Sequence, residues 1–358
     1  MVVIGGGIMG IAAAAMLAEA GRSVVLFEER AVAAGASGRN SGVIQHPFDD
    51  ELAPLYRESL ELYAALAAED SDFSFATRPA GLLVLTDDPA GARVAAQEIR
   101  VSAPELAPRL VDEAELRSLE PATARGLVAI SLDTGYPVAP ASATLAFARR
   151  AERAGVRLDI GQRAAPAVAG GRLTGVRLAS GELIAAEQVL VAAGPRTPEL
   201  IPGWAERPPI RPLWGVVVSG AIGHPPAHVL EELGIDRPGI QPEALFSLVT
   251  VGSASSVGST FRPEPADPDS LIRPILDRAA RFVPALAELQ PSAVRTCARP
   301  ASFDGRPLVG PLEQVAGLYV CAGHGPWGIS TGPASARLVA ELMLSRIDGR
   351  AGLSPRRV

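Results

Sequence analysis

At 358 residues the chain is long enough for two domains or one large one, and it can bury a full core without disulfide or metal staples. It is 48% hydrophobic and 20% charged with a net charge of −6, the balance of a globular protein with no basic surplus for nucleic acid or an anionic membrane. All 33 basic residues are arginine, so lysine Schiff-base and lysine general-base chemistry are excluded.

The chain opens with MVVIGGGIMGIAAAAMLA, a run without a charge. A signal peptide needs a positive segment ahead of its apolar stretch, and the first basic residue is Arg22, beyond the run. A membrane helix would contain Gly5, Gly6 and Gly7, each weakening a helix interior by up to about 1 kcal/mol relative to alanine, and it lacks flanking cations and aromatic anchors. The run divides better into a buried strand VVI, a turn, and a helix from about Ile8 to Ala20 closed by Gly21. Within the turn, Gly5, Gly7 and Gly10 form GxGxxG: the first permits the tight turn, the second lets a pyrophosphate approach the backbone, and the third lets helix pack closely on strand. SVVLFE reads as a second strand ending in Glu28, where a carboxylate can accept both hydroxyls of an adenosine ribose. The whole unit in register predicts a dinucleotide site. Almost nothing precedes the first strand, so Met1 itself is expected to pair in the sheet, which leaves open whether residues once preceded it.

Beyond this unit AAGASGRNSGVIQHPF reads as a glycine- and serine-rich loop, followed by a helix from about Glu51 to Ala68. GLLVLTD predicts a strand, Pro89 to Val101 a helix, GLVAISLD a strand, and ASATLAFARRAERAG a helix capped by Gly155. VRLDI, the hairpin PAVAGGRLTGVRLASG and EQVLVAAG return to strands. From about Glu206 to Ser292 proline-rich turns carry strands at WGVVVSG, ALFSLVTV and SVGSTF, the candidate substrate domain. LYVCAG predicts a last buried strand, GHGPWG a second glycine-rich loop, and a helix follows Ser330 with Gly332 and Pro333 in its first turn. A helix N-terminus offers unpaired N–H groups and about half a positive charge, which suits an anion.

Cys297 and Cys321 are too far apart for a CxxC site and too few for a disulfide framework, which fits a reducing cytoplasm. His224 and His228 have i,i+4 spacing, but the two prolines of HPPAH spoil the helix that would aim both rings at one metal; a solvated loop is expected there, and no metal.

Taken in order, VVIGGGIMG with Glu28, GASGRNSG, VLVAAG, ARPASFDGRPLVG and AGHGPWGIS resemble the D-amino-acid oxidase-like FAD oxidoreductases, the group that includes glycine oxidase, sarcosine oxidase and D-amino-acid dehydrogenase. The resemblance implies an α/β fold in which a Rossmann-like FAD-binding domain (residues 1–80, 140–205 and 295–358) is interleaved with a mixed-sheet α+β substrate domain (81–139 and 206–294). It places Gly5, Gly7 and Gly10, with Ile8 and Met9, at the pyrophosphate, and Glu28 with Glu29 at the adenosine ribose. Ser37, Gly38, Arg39, Asn40, Ser41 and Gly42 would line the pyrophosphate, ribityl and flavin side. Ala164 would contact the adenine region, and Ala193 and Gly194 would close over the cofactor. Gly323, His324, Gly325, Gly328, Ile329 and Ser330 would wrap the isoalloxazine, with the helix N-terminus favouring the negative charge that develops around flavin N1 and C2=O.

Arg299, in ARPASFDG, matches the position that grips a substrate carboxylate in the glycine oxidase branch, a task suited to its planar fork of donors; the competing reading is a structural arginine bonded to the loop or to Asp304. His46 is either a substrate contact or a partly exposed loop histidine. His324 reads as a packing and orienting residue rather than a base, and Trp214, Trp327 and Tyr136 as either pocket walls or core. The resemblance implies hydride transfer from the substrate Cα to flavin N5 and hydrolysis of the imine, with a small carboxylate-bearing amino acid or secondary amine as substrate and O2 or a carrier as acceptor. The same site would serve a 2-hydroxy acid, or a flavoprotein subunit active only with a partner; the oligomeric state is left open. In the sarcosine oxidase branch a lysine helps oxygen react, which this chain lacks. Cys297 aligns with that branch's point of covalent flavin attachment, although a buried strand thiol with non-covalent FAD is the expected case, and Cys321 reads as core.

Overall fold

The structure is a computed structural model that describes residues 1–235 and 244–358. β1 (Val2–Ile4), α1 (Ile8–Glu19) and β2 (Val25–Glu28) form the expected opening unit, and Gly21 takes a left-handed φ of 80° just past the helix end. The Met1 carbonyl accepts from the Val25 N–H at 3.2 Å, so Met1 does extend the pairing. The glycine- and serine-rich segment is not all loop, for it forms a short helix α2 (Ala36–Arg39) and a strand β3 (Val43–Ile44) before α3 (Ala53–Glu69).

Next come β4 (Leu82–Thr86), α4 (Pro89–Ser102), β5 (Arg109–Val111), α5 (Glu113–Leu119), β6 (Val128–Leu132) and β7 (Tyr136–Pro137). α6 (Ser142–Arg153) leads to β8 (Arg157–Ile160), the hairpin β9 (Ala164–Ala169) and β10 (Arg172–Leu178), then β11 (Leu183–Ala185), β12 (Val189–Val191) and α7 (Thr197–Leu200). The remaining elements are β13 (Ile210–Gly220), β14 (Val229–Glu232), β15 (Ser247–Val251), β16 (Ala254–Gly258), α8 (Pro268–Ala280), β17 (Ala293–Ser302), β18 (Leu308–Pro311), β19 (Leu318–Ala322) and α9 (Gly328–Met343).

Two large sheets organise these elements. The first has order β18-β19-β12-β1-β2-β8 and is parallel except for the antiparallel edge strand β18. The second, mixed, has order β17-β13-β16-β15-β14-β4-β6-β5, with β14 and β4 its parallel pair. β17 straddles the boundary expected at residue 295 and pairs with β13 along its whole length, from Ile210 opposite Ser302 to Ser219 opposite Ala293.

α1 is apolar on every face up to Glu19, and most of it is buried. Ile8, Ile11, Ala12 to Ala15 and Leu17 are buried, in one core cluster with Phe147 and Ala151 of α6 and Ala336 and Val339 of α9. Small alanines allow these close helix contacts, while each fully buried Ile or Leu contributes about 1.5–3 kcal/mol. α8, which lies where only turns and strands were expected, is masked in the sequence by Pro268 and Pro274. The first is a favourable N-terminal proline after the Asp267 cap, and Leu271, Ile275 and Leu276 pack beside the stacked Phe246 and Phe282.

α9 begins at Gly328 rather than after Ser330, which puts Pro333 in the helix interior. Pro333 has no N–H to give the Ile329 carbonyl, and the Tyr63 hydroxyl of α3 takes that acceptor at 2.7 Å; one residue on, the Ala334 N–H donates to the Ser59 hydroxyl at 3.1 Å. HPPAH is a loop with His224, Pro225 and Ala227 exposed, but its far end is anchored: the buried Glu120 carboxylate accepts from the Ala227 and His228 N–H groups and sits 2.7 Å from His228 Nδ1. No described helix is long and apolar enough to cross a membrane.

A Cβ at position 10 would stand 2.0 Å from the Gly5 carbonyl oxygen, a backbone atom that cannot swing aside. Gly10→Ala is therefore expected to destabilise the fold by about 1–3 kcal/mol, read as a lower urea midpoint at unchanged m-value; an unchanged midpoint would show that helix and turn can part freely.

Candidate functional site

A cavity of about 790 Å³ lies between the two sheets. One wall is made by residues at and just past the carboxyl ends of parallel strands: Ile4 of β1, Glu28 of β2, Ala192 and Ala193 after β12, Ala322 of β19, and Gln162 after β8. Open α/β sheets place ligands in such a crevice. The facing wall comes from Pro212 and Trp214 of β13 and from Thr296 to Pro300 of β17.

At the first turn Gly5 has φ 117°, and a Cβ there would lie 2.4 Å from the Ala192 carbonyl oxygen, so only glycine fits. Gly7 caps α1 without a side-chain hydrogen bond, and Gly7 and Met9 face the cavity; Ile8 and Gly10 lie behind them. The Ile8 N–H donates to the Ser37 hydroxyl at 3.0 Å, so Ser37 both lines the cavity and braces α1. Glu28 accepts from the Gly6 N–H at 2.7 Å and from the Arg30 N–H at 2.9 Å, which fixes its carboxylate on the wall with lone pairs to spare. Glu29 pairs with Arg196, whose hydrogen bond holds the Glu29 carboxyl below its ordinary range.

Arg39 and Asn40 also line the cavity, whereas Gly38, Ser41 and Gly42 do not. Gly38 is pressed on the Ala33 carbonyl, and Gly42 donates to Asn40 Oδ1 at 2.9 Å. Ala164, Ala193 and Gly194 stand on the wall. From the second glycine loop Gly325, Gly328 and Ile329 reach the cavity, at the N-terminus of α9, which has no side-chain cap from Trp327 and, like α1, no acid in its first turn. Gly323, His324 and Ser330 sit behind it; the Ser330 hydroxyl accepts from the Gln45 N–H at 3.0 Å.

Along β17 the alternation of strand side chains puts Arg295, Cys297 and Arg299 on one face. Arg299 lines the cavity, donating to the Thr260 carbonyl at 3.0 Å and the Ser259 hydroxyl at 2.6 Å, with its guanidinium carbon 4.6 Å from the centre of the Phe261 ring. Asp304 pairs with Arg357 at 2.8 Å instead, and no carboxylate among the described residues pairs with Arg299. Burial lowers the Arg299 pKa from its ordinary value, yet a guanidinium keeps its proton in a protein. Cys297 is buried on the wall, and its thiol is pushed up by burial against the opposing pull of Arg299, Arg39 and Arg295.

Neither reading of His46 holds. It is 3% exposed and off the cavity wall, its Nδ1 accepting from the Phe48 N–H at 3.1 Å and its ring edge-on to Phe48 and Tyr56; burial lowers its pKa. Trp214 lines the cavity, while Trp327 and Tyr136 pack on the α1 core.

A family model described as DAO, FAD dependent oxidoreductase, matches residues 1–342. The chain belongs to this family. Among curated members it is 32% identical over 217 residues to a D-amino acid dehydrogenase of Cereibacter sphaeroides, covering 58% of this chain and 46% of that protein. It is 30% identical over 182 residues to a glycine oxidase of Pseudomonas aeruginosa, covering 49% and 47%. The chain thus spans about half the length of the curated relatives it matches. The fold extends further: glycine oxidase from Bacillus cereus superposes with a TM-score of 0.84 at 23% identity over 98% of both chains. Iminodiacetate oxidase from Chelativorans sp. BNC1 does so with 0.85 at 23% identity over 99% of this chain and 98% of that one. This DAO-family oxidoreductase accordingly has the α/β architecture of a Rossmann-like sheet joined to a mixed one.

Several wall residues escaped the sequence reading, among them Gln162, Arg163 and Arg196. A signal existed for the first two: β8 runs parallel beside β2, so the turn after it must open at the same sheet end as Glu28. Gly215, which is off the wall but lies against the Arg299 guanidinium, also escaped it, although an isolated glycine inside WGVVV marks a close approach.

His324 is 1% exposed with neither ring nitrogen hydrogen-bonded, and burial lowers its pKa to about 3. The folded chain thus holds the ring neutral while the unfolded chain protonates it near 6.5, so stability is lost as pH falls from about 6.5 toward 3, by up to about 1.4 kcal/mol per pH unit. His324→Phe is expected to remove that share of the slope in urea titrations between pH 6 and 4.5; an identical slope in the variant would mean the ring is protonated within the fold.

Proposed function

We propose that this chain oxidises the C–N bond of a small amino acid or secondary amine that carries a carboxylate. The observation that carries the reading is Arg299, a cation on the cavity wall supported by neutral groups and free of any described carboxylate. Relatives named D-amino acid dehydrogenase and glycine oxidase support the amine over a 2-hydroxy acid. The cavity's dimensions and donors fit FAD: a turn whose backbone only glycine can form, a carboxylate tied to that turn, and two helix N-termini with no acid in their first turns.

In this reading the eight-stranded sheet is the substrate half and the six-stranded sheet the cofactor half. Gly5, Gly7 and the α1 N-terminus receive the pyrophosphate, Glu28 the ribose, Ser37, Arg39 and Asn40 the pyrophosphate and ribityl side, Ala164, Ala193 and Gly194 the adenosine side, and Gly325 to Ile329 the flavin end. When bound, FAD supplies the acceptor for the hydride leaving the substrate Cα, and water hydrolyses the imine so formed. Arg299 grips the carboxylate bidentately and so fixes which way the Cα–H points. The α9 N-terminus stabilises negative charge as it develops in the cofactor end of the cavity. His324 stays neutral and orients the glycine loop rather than moving a proton. The buried free thiols Cys297 and Cys321 fit a reducing, cytoplasmic setting.

An anaerobic screen of the flavin-bound protein with amino, N-methyl amino and hydroxy acids tests the reading. Bleaching of the flavin by an amine with release of ammonia or amine is expected, and bleaching by hydroxy acids alone would sink it; admitting O2 or a dye then reads the acceptor. Arg299→Met is expected to keep its flavin and to lower kcat/KM by at least about thirtyfold, since losing one partner of a hydrogen-bonded charge pair costs about 2–5 kcal/mol. Flavin left wholly in the supernatant after acid precipitation is the expected result for non-covalent FAD beside Cys297.

A further inference from the structure

Arg299 stands on a support that contains no acid. Of its five N–H groups, one on Nη1 goes to the Thr260 carbonyl and one on Nη2 to the Ser259 hydroxyl, and its flat face lies over Phe261. All three supports are consecutive residues beyond the end of β16. On the opposite side the space for the guanidinium exists because residue 215 has no side chain: a Cβ there would lie 2.1 Å from Nη1 and 2.5 Å from both the guanidinium carbon and Nη2. Gly215 is opposite Cys297 in the pairing of β13 with β17, one step along the face from Arg299.

We infer that Gly215 and Ser259 are positioning residues that hold the Arg299 fork in its carboxylate-receiving pose, Gly215 by leaving room and Ser259 by fixing one arm without neutralising the charge. The inference rests on the proposed carboxylate role of Arg299. An aspartate in place of Ser259 would hold the arm as well but would satisfy the cation in advance. A hydroxyl and a carbonyl orient the group while leaving its charge for the ligand, and three of its N–H groups have no acceptor among the described residues. The atoms that clash with a Cβ at 215 are the far end of a flexible side chain, so Gly215→Ala is relieved by moving the guanidinium rather than the strand.

The test uses the flavin-bound protein with acetate and propionate as probes, read from perturbation of the visible flavin spectrum, beside KM and kcat for the best amine found. Ser259→Ala is expected to weaken carboxylate binding about tenfold, the equivalent of one charged hydrogen bond, and Gly215→Ala by at least as much. KM should rise with kcat less affected, flavin content should be unchanged, and Ser259→Thr, which keeps the hydroxyl, should bind acetate close to the wild-type level. Wild-type affinity in both Gly215→Ala and Ser259→Ala, when Arg299→Met abolishes binding, would overturn the positioning inference alone. Acetate and propionate bound equally by wild type and Arg299→Met would overturn the carboxylate role of Arg299 and with it this inference. Loss of flavin together with carboxylate in both variants would show a structural role and overturn it too.

Discussion

The Gly5 carbonyl oxygen lies 2.0 Å from where a Cβ on residue 10 would fall, and the Cβ of a residue at position 5 would fall 2.4 Å from the Ala192 carbonyl oxygen. The missing side chains let three backbone segments converge: the end of β1, the start of α1 and the turn after β12. Their convergence sets where the α1 N-terminus points, and because β1 is the central strand between β12 and β2, it also sets where Ala193, Gly194 and Glu28 stand. Glu28 closes the arrangement by taking the Gly6 N–H, tying the acid at one strand end to the turn at the next.

The second helix N-terminus reaches the same cavity by different physics. α9 crosses the α1 surface as a helix with an interior proline, a residue that costs about 3 kcal/mol or more in a helix when its consequences are left unmet. Here Tyr63 takes the freed Ile329 carbonyl and Ser59 the Ala334 N–H, so α3 supplies the missing hydrogen bonds. Ile329 is itself a cavity residue, and the repair therefore holds the first turn of α9 in place as well as keeping the helix whole.

Local signals made the opening unit of the six-stranded sheet legible. The glycine turn, the capping Gly21 and the terminal Glu28 each state a backbone or charge requirement within a short window, and each element formed within a residue or two of its expected place. Legibility failed where proline carries two meanings: Pro268 opens α8 and Pro274 lies inside it, and Pro333 lies inside α9, though in the sequence all three read as turns or starts. It failed also where a residue's surroundings come from afar. His46 follows a flexible-looking loop, but Tyr56 and Phe48 enclose it, and Thr134, 88 residues away, accepts its N–H. Arg299 was legible from its motif; its support at Ser259 to Phe261 was not, because only the pairing of β13 with β16 and β17 brings those segments together.

The charge pattern of the cavity follows from that pairing. Glu28 and Glu29 stand at the parallel-strand side among Arg30, Arg163 and Arg196, the last paired with Glu29, while the β17 side carries three arginines, Arg39 and Arg299 on the wall and Arg295 one step further along the same face. None of the three arginines has a carboxylate partner among the described residues; they donate instead to neutral oxygens, Arg39 to Thr296, Arg295 to Ser219, Ser256 and Asn40, and Arg299 to Ser259 and Thr260. Among the described residues the acidic group acting on Arg295 and Arg299 is the Cys297 thiol, and burial holds its proton on despite the three cations. Because guanidinium groups do not discharge, this end of the cavity keeps an unspent positive field at every physiological pH. Arg295 and Arg299 are only partly exposed, and burial disfavours their charged forms, so an anion that reaches Arg299 in the cavity is attracted more strongly than the same pair would be at the open surface.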